Sequence, residues 1–281
     1  MQPGRPSRTA FGAARHRAAH QILEQGRIFT DPLAVRILGG DAESLARDAE
    51  EDPARRPMRI FIAVRTRFAE DSLAAAVEQG VRQVVVLGAG LDTFAYRTTL
   101  GHRIRIFEVD HPDTQAWKRQ LLADAAIDLP SWLTFAPIDL ERETLTHGLA
   151  AAGFDPGQPT FFTWLGVVPY LTKEAIWGTL SFIAGLPNGA QVVFDYADPP
   201  VSWSPEMRAS IDPLAARAAA AGEAWLSYFA PGELRDQLLQ IGFSEVEDLG
   251  PNEIAARYFP HRAAPNRDKG GHVMRAATLR T

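Results

Sequence analysis

A chain of 281 residues that is 46% apolar, with 15 Phe and 6 Trp, can bury a sizeable core, and one large domain is expected. Its formal charge of −5 argues against nucleic acid as the main partner, because phosphate binding needs a concentrated basic surface. With no cysteine there can be no disulfide, thiolate nucleophile or thiolate metal site, and none of the seven histidines stands in a H-E-x-x-H spacing, so no metal is expected.

Residues 1–14 lack the apolar core of a signal peptide and no long apolar run suggests a membrane span, so a cytoplasmic protein is expected. Residues 1–9 are rich in Pro, Arg and Ser and should lack regular structure. Residues 10–25 read as helix. Asp31-Pro32 looks like an N-cap and first helical position for a helix over 33–38, stopped by Gly39-Gly40. The charged stretch 41–56 fits helix or loop. A stronger amphipathic helix over 59–79 is closed by Gly80.

From there strands and helices alternate. Strands are predicted at 83–87, 103–109, 133–137, 160–165, 190–196, 243–249 and 272–279, with helices over 113–125, 143–152, 173–186 and 231–241. An Ala-rich helix over 206–221 reads as an insertion, and 252–271 as a basic loop. Strands separated by helices give an α/β, doubly wound, mostly parallel sheet of seven strands with helices on both faces. The expected layout is a single domain: residues 1–80 an N-terminal helical cap, 81–198 the binding core, 199–230 a lid insertion and 231–281 the C-terminal part of the sheet.

The segment Val84-Val85-Val86-Leu87-Gly88-Ala89-Gly90 is a buried strand running into a glycine turn. In an α/β sheet such a turn lies where nucleosides bind, outside the carboxyl ends of the strands. A dinucleotide fingerprint would need a third glycine three residues beyond Gly90, where Thr93 stands instead. Glu108 and Asp110, about twenty residues after the glycines, are both placed to accept hydrogen bonds from ribose hydroxyls. Asp139, next to apolar Leu140 after the third strand, suits an adenine amino group, with helix N-capping as the alternative. Together these favour an S-adenosylmethionine site over a NAD site.

The blocks Val86 to Thr93 with Tyr96-Arg97, and Phe107-Glu108-Val109-Asp110-His111-Pro112, resemble the leucine carboxyl methyltransferase family. Asp31-Pro32-Leu33-Ala34, Val64-Arg65-Thr66-Arg67-Phe68, Lys118-Arg119 and the segment from Gly166 to Leu171 extend the likeness over roughly residues 15–250. The family contains class I S-adenosylmethionine enzymes, among them protein-phosphatase carboxyl methylases and bacterial O-methyltransferases of polyketide carboxyl groups. The resemblance implies a Rossmann-like class I methyltransferase fold and S-adenosylmethionine as cofactor. It puts Gly88 and Gly90 under the methionine part, Asp110 on the ribose, and Asp139-Leu140 at the adenine. Arg65, with Arg67 as the other candidate, falls on the arginine that meets the cofactor carboxylate, and Arg17 on an N-terminal basic residue near the cofactor. Many members carry a glutamate where this chain has Leu165, whose backbone carbonyl or a water would have to serve the cofactor's amino group.

The expected reaction is O-methylation of a small molecule, as part of secondary metabolism, with a carboxylate as the first choice of acceptor. A carboxylate is already a nucleophile and needs no general base, whereas a phenol would. No catalytic residue is assigned. His16, His20, His111, His261 and His272 lie in no motif that makes one a base. Tyr170, Trp203, Tyr228 and Arg257 are the candidate acceptor contacts, Trp203 and Tyr228 as part of an aromatic wall with Trp225 and Phe229, Arg257 in a loop with Tyr258, His261 and Arg262. The alternatives are a phenol O-methyltransferase, an S-adenosylmethionine-binding protein without turnover, and an NAD-dependent oxidoreductase.

Overall fold

The computed structural model describes residues 7–139, 142–220, 222–261 and 269–278. The N-terminal cap holds α1 (Arg8–Leu23), α2 (Ala42–Glu50) and α3 (Arg56–Glu78). Ser7 caps α1 by accepting the Ala10 N–H at 3.0 Å, and Asp41 caps α2 through Ser44 at 2.7 Å, which resolves the charged stretch as helix. The helix expected over 33–38 shrinks to one tight turn, Arg36–Leu38, ended by Gly39 in the left-handed region at φ +65°. Asp31 caps Leu33 as foreseen, at 3.0 Å, but too few residues separate it from Gly39 for a helix to propagate.

After this cap come β1 (Gln83–Leu87), α4 (Phe94–Arg97), β2 (Arg105–Asp110), α5 (Pro112–Asp124) and β3 (Leu133–Pro137). Then follow α6 (Leu145–Ala151), β4 (Thr160–Trp164), α7 (Lys173–Ala184), β5 (Ala190–Ala197) and α8 (Pro205–Ala220). The chain closes with α9 (Pro231–Gln240), β6 (Glu245–Leu249), α10 (Pro251–Tyr258) and β7 (Gly271–Ala277). Among the described residues the seven strands form one sheet in the order β3-β2-β1-β4-β5-β7-β6. All neighbours are parallel except β7, which runs antiparallel to both β5 and β6. The stretch expected to be a basic loop begins as α10, with Pro251 at its first turn; residues 262–268, including Arg262, lie outside the described residues.

The valine run of β1 shows why the sheet sits between two layers. Successive side chains of a strand point to opposite faces. Val84 and Val86 pack with Phe68, Leu73 and Val77 of α3, while Val85 and Leu87 join Leu149 of α6 and Ile176, Leu180 and Ile183 of α7. All five residues of β1 are buried, as a central parallel strand requires. The order reverses between β1 and β4, so the carboxyl ends of β1, β2, β4 and β5 open together under the helical cap.

Candidate active site

The strand ends, α1, α3 and α8 enclose a cavity of about 2200 Å³. A pocket for one drug-sized ligand occupies roughly 300–1,000 Å³, so there is room for two molecules at once. Gly88 and Gly90 form its floor with φ of +63° and +46°. A Cβ on Gly88 would lie 2.3 Å from Val167, and one on Gly90 would lie 3.0 Å from the Cβ of Ala10 in α1. The turn is therefore glycine both for its backbone and because the loop after β4 and the first helix close on it from two sides.

Asp110, at the end of β2, lines the cavity, and one of its oxygens accepts the Gly90 N–H while the other accepts the His111 N–H at 2.7 Å. Burial raises its pKa above the usual carboxylate range, against the pull of those two bonds. Glu108, the other acid that spacing alone places near a ribose, is 1% exposed and sealed under the sheet end. Its partners are Lys118 Nζ at 2.7 Å and the Tyr96 hydroxyl at 3.1 Å, and it does not line the cavity.

The polar residues around the turn close a buried lattice behind it. Thr93, at the place of the missing third glycine, is fully buried and donates to Asp31 Oδ2 at 2.6 Å. Arg97 donates to Thr93 Oγ1 at 3.2 Å, grips Glu70 with two bonds and lies 4.7 Å over the ring of Phe29. Arg17 lines the cavity, but its guanidinium donates to the Leu91 carbonyl and sits 3.5 Å from Asp31. The structure thus gives Arg17 a grip on the glycine turn. Burial acts to raise the pKa of neighbouring Asp92, but Arg17, Arg97, Lys118 and the Phe94 N–H together hold it below its ordinary value.

Asp139 lines the cavity beyond β3, 3.7 Å from His111 Nε2 and 3.6 Å from Arg142 Nε. Helix α6 is capped by Thr144, which accepts the His147 N–H at 3.3 Å, so Asp139 is not the cap of that helix. Leu140 lies outside the described residues. Leu165 and Gly166 line the cavity at the end of β4. Arg65, on α3, also lines it and donates from Nη1 to Asp195 Oδ2 at 2.7 Å. Arg67 is exposed and bonded to Asp71 one turn along its own helix, and is set aside.

Tyr170, from the loop after β4, and Trp203 also line the cavity, with Met207, Ile211 and Leu214 of α8 and Trp225 beyond it. Two candidate acceptor contacts are corrected. Tyr228 packs edge-on against Trp203, ring centres 5.8 Å apart, without lining the cavity. Arg257 donates to Glu247 at 3.0 Å and lies 5.1 Å over the ring of Phe68, on the outside of the molecule. One residue without an assigned role joins the site: His16 of α1 lines the cavity. Burial, reinforced by Arg55, Arg59, Arg65 and Arg15, pushes its imidazole down to about 4, so it is neutral at neutral pH. No spacing in the sequence marks His16, because Arg55, Arg59 and Arg65 reach it only when α1 packs on α3.

Comparison with known proteins places these features in a context. The family model "Leucine carboxyl methyltransferase" matches residues 10–184. The protein named "Putative S-adenosyl-L-methionine-dependent methyltransferase YktD" from Bacillus subtilis (strain 168) is 35% identical over 243 residues, which cover 86% of this chain and 78% of that one. A similarly named relative from Frankia alni is 36% identical over 192 residues, 66% of each chain. Among solved structures, a DUF574 family protein from Streptomyces avermitilis superimposes with a TM-score of 0.56 at 16% identity, over 94% of this chain and 97% of that one. Among the described residues, no helix is long and apolar enough to cross a membrane.

Proposed function

The chain belongs to the leucine carboxyl methyltransferase family and is an S-adenosylmethionine-dependent methyltransferase of Rossmann-like class I fold; we propose that its acceptor is a carboxylate on a small, largely apolar acid. The residues present suit the cofactor. The glycine turn leaves a cradle that a Cβ would fill, Asp110 offers a fixed carboxylate to a ribose, and Asp139 offers one to an adenine amino group. When bound, the cofactor supplies a methyl group activated on a sulfonium. The chain supplies alignment: an enclosed two-ligand cavity that holds donor and acceptor together, an effect worth about 7–11 kcal/mol when the geometry is good.

The observation that carries the choice of acceptor is His16. Among the described residues it is one of two imidazoles lining the cavity, the other being His111 beside Asp110, and its pKa of about 4 makes it a poor base. Taking a proton from a phenol of pKa near 10 would be uphill by roughly six units, about 8 kcal/mol. An acceptor that arrives already ionised avoids that cost. The apolar side chains of Trp203, Met207, Ile211 and Leu214 then suit the body of the acid.

Label from methyl-tritiated S-adenosylmethionine, offered with a panel of aliphatic and aromatic acids and the matching phenols, tests this reading. Methyl esters release volatile methanol in mild alkali, whereas aryl methyl ethers do not. Alkali-labile product is expected. Label found only in alkali-stable product would replace the carboxylate with a phenol.

A further inference from the structure

Asp195 is a buried acid, 4% exposed on β5, that lines the cavity and has no place in the reading so far. The register pairs Trp164 of β4 with Phe194 of β5, so Asp195 stands level with Leu165, which brings no carboxylate of its own. Asp195 Oδ1 accepts the Gly166 N–H at 2.5 Å and Oδ2 accepts Arg65 Nη1 at 2.7 Å. A carboxylate has about four acceptor positions, so two bonds leave it able to take more.

Arg65 is likewise half used. One nitrogen is engaged with Asp195, while Nε is buried without a hydrogen-bond partner among the described residues. Gly166, at φ +73°, makes the arrangement possible, because a Cβ there would lie 2.6 Å from Arg65 Nη2. The result is a positive and a negative group fixed side by side on one wall of the cavity, each with bonding capacity left. Two opposite charges so arranged complement a ligand that carries both charges, and the four together are neutral.

We infer that Asp195 takes the ammonium of the cofactor's α-amino-acid end, beside the carboxylate that the family resemblance already assigns to Arg65. Asp195 is thus a binding residue of this site that joins the glycine turn, Asp110 and Asp139. The inference rests on the assignment of the strand-end side of the cavity to the cofactor.

Titration calorimetry compares S-adenosylmethionine with 5′-methylthioadenosine, which keeps the nucleoside but lacks the amino-acid end. In Asp195→Asn, which retains an acceptor for Gly166, S-adenosylmethionine should bind about tenfold more weakly or worse, as expected on loss of a charge-assisted bond, with 5′-methylthioadenosine unchanged within about twofold. Equal weakening of both ligands, or of neither, overturns the inference while leaving the nucleoside site standing. Wild-type protein that binds neither ligand overturns the site assignment and the inference with it. The wild type alone offers a second test that no folding defect can blur: an S-adenosylhomocysteine analogue lacking only the amino group should bind about tenfold more weakly than S-adenosylhomocysteine, and equal affinity overturns the role of Asp195.

Discussion

On the strand side of the cavity, charged side chains are tied to backbone: Asp110 to Gly90 and His111, Asp195 to Gly166, Arg17 to the Leu91 carbonyl. On the α8 side Met207, Ile211 and Leu214 carry much of the wall, which is thinly anchored. Val201 and Leu226 at its edges are 86% and 56% exposed, Pro213 interrupts the helix, and Arg217 reaches Asp52 across the cavity mouth only at 3.8 Å. A charge bonded to a main-chain N–H cannot move without unmaking the turn, whereas an apolar helix face can shift with small cost. The first construction suits a ligand held in one fixed pose, the second a ligand to which the wall can adjust.

The largest effect expected on the strand side comes from Asp31→Ala. Asp31 is 1% exposed between Arg17 and Arg97 and accepts from Thr93 and Leu33. Its removal leaves buried cations uncompensated and should cost about 3–5 kcal/mol of stability in denaturant titration. A loss under about 1 kcal/mol would mean that the lattice behind the turn does not hold it.

A comparable effect is expected where residues 269–271 meet the cavity. His272 lies between Asp198, at 3.0 Å, and Asp248, at 3.1 Å, and stacks on Tyr196. Burial opposes its charge, but the two carboxylates outweigh burial and push it up to about 9 from 6.5. A pKa raised on folding stabilises fully below about 6.5, and that contribution is lost as pH rises through about 9. Relative to His272→Gln, the wild type should therefore lose on the order of 3 kcal/mol between those limits. A difference that stays flat or grows with pH contradicts the pairing.

Asp110→Ala should weaken S-adenosylmethionine binding about thirtyfold or more by removing acceptors for the ribose, with thermal unfolding still cooperative. An unchanged dissociation constant refutes the ribose assignment. On the α8 side, Trp203→Ala should raise the KM for a turned-over acid by roughly tenfold with little change in cofactor affinity. A change in cofactor affinity as large as that in KM would erase the distinction between the two walls. The smallest effect belongs to Arg257→Ala: its exposed pair with Glu247 should contribute no more than about 0.5 kcal/mol, and neither ligand should notice its loss.

Much of this was legible in the chain. The strand bounds of β1 and β3 match the predicted 83–87 and 133–137, because a run of β-branched residues or an alternating segment bounded by breakers carries its structure locally. The tract from 252 was misread because a helix of eight residues with Arg257 in its last turn lacks the length that makes periodicity convincing. Arg257 and Tyr228 were credited with facing the acceptor on composition alone, and composition does not say which way a side chain points.

By itself, the sequence determined the strand–helix alternation, the glycine turn and the family, since each depends on neighbours within a few residues. Only the tertiary structure decided which of two acids two residues apart is sealed against Lys118 and which faces the cavity. It alone gathered the arginines around His16, and it alone joined Arg65 to Asp195 across 130 residues. Side-chain charge acts through space, and no local pattern records which distant charge the fold will bring within a hydrogen bond.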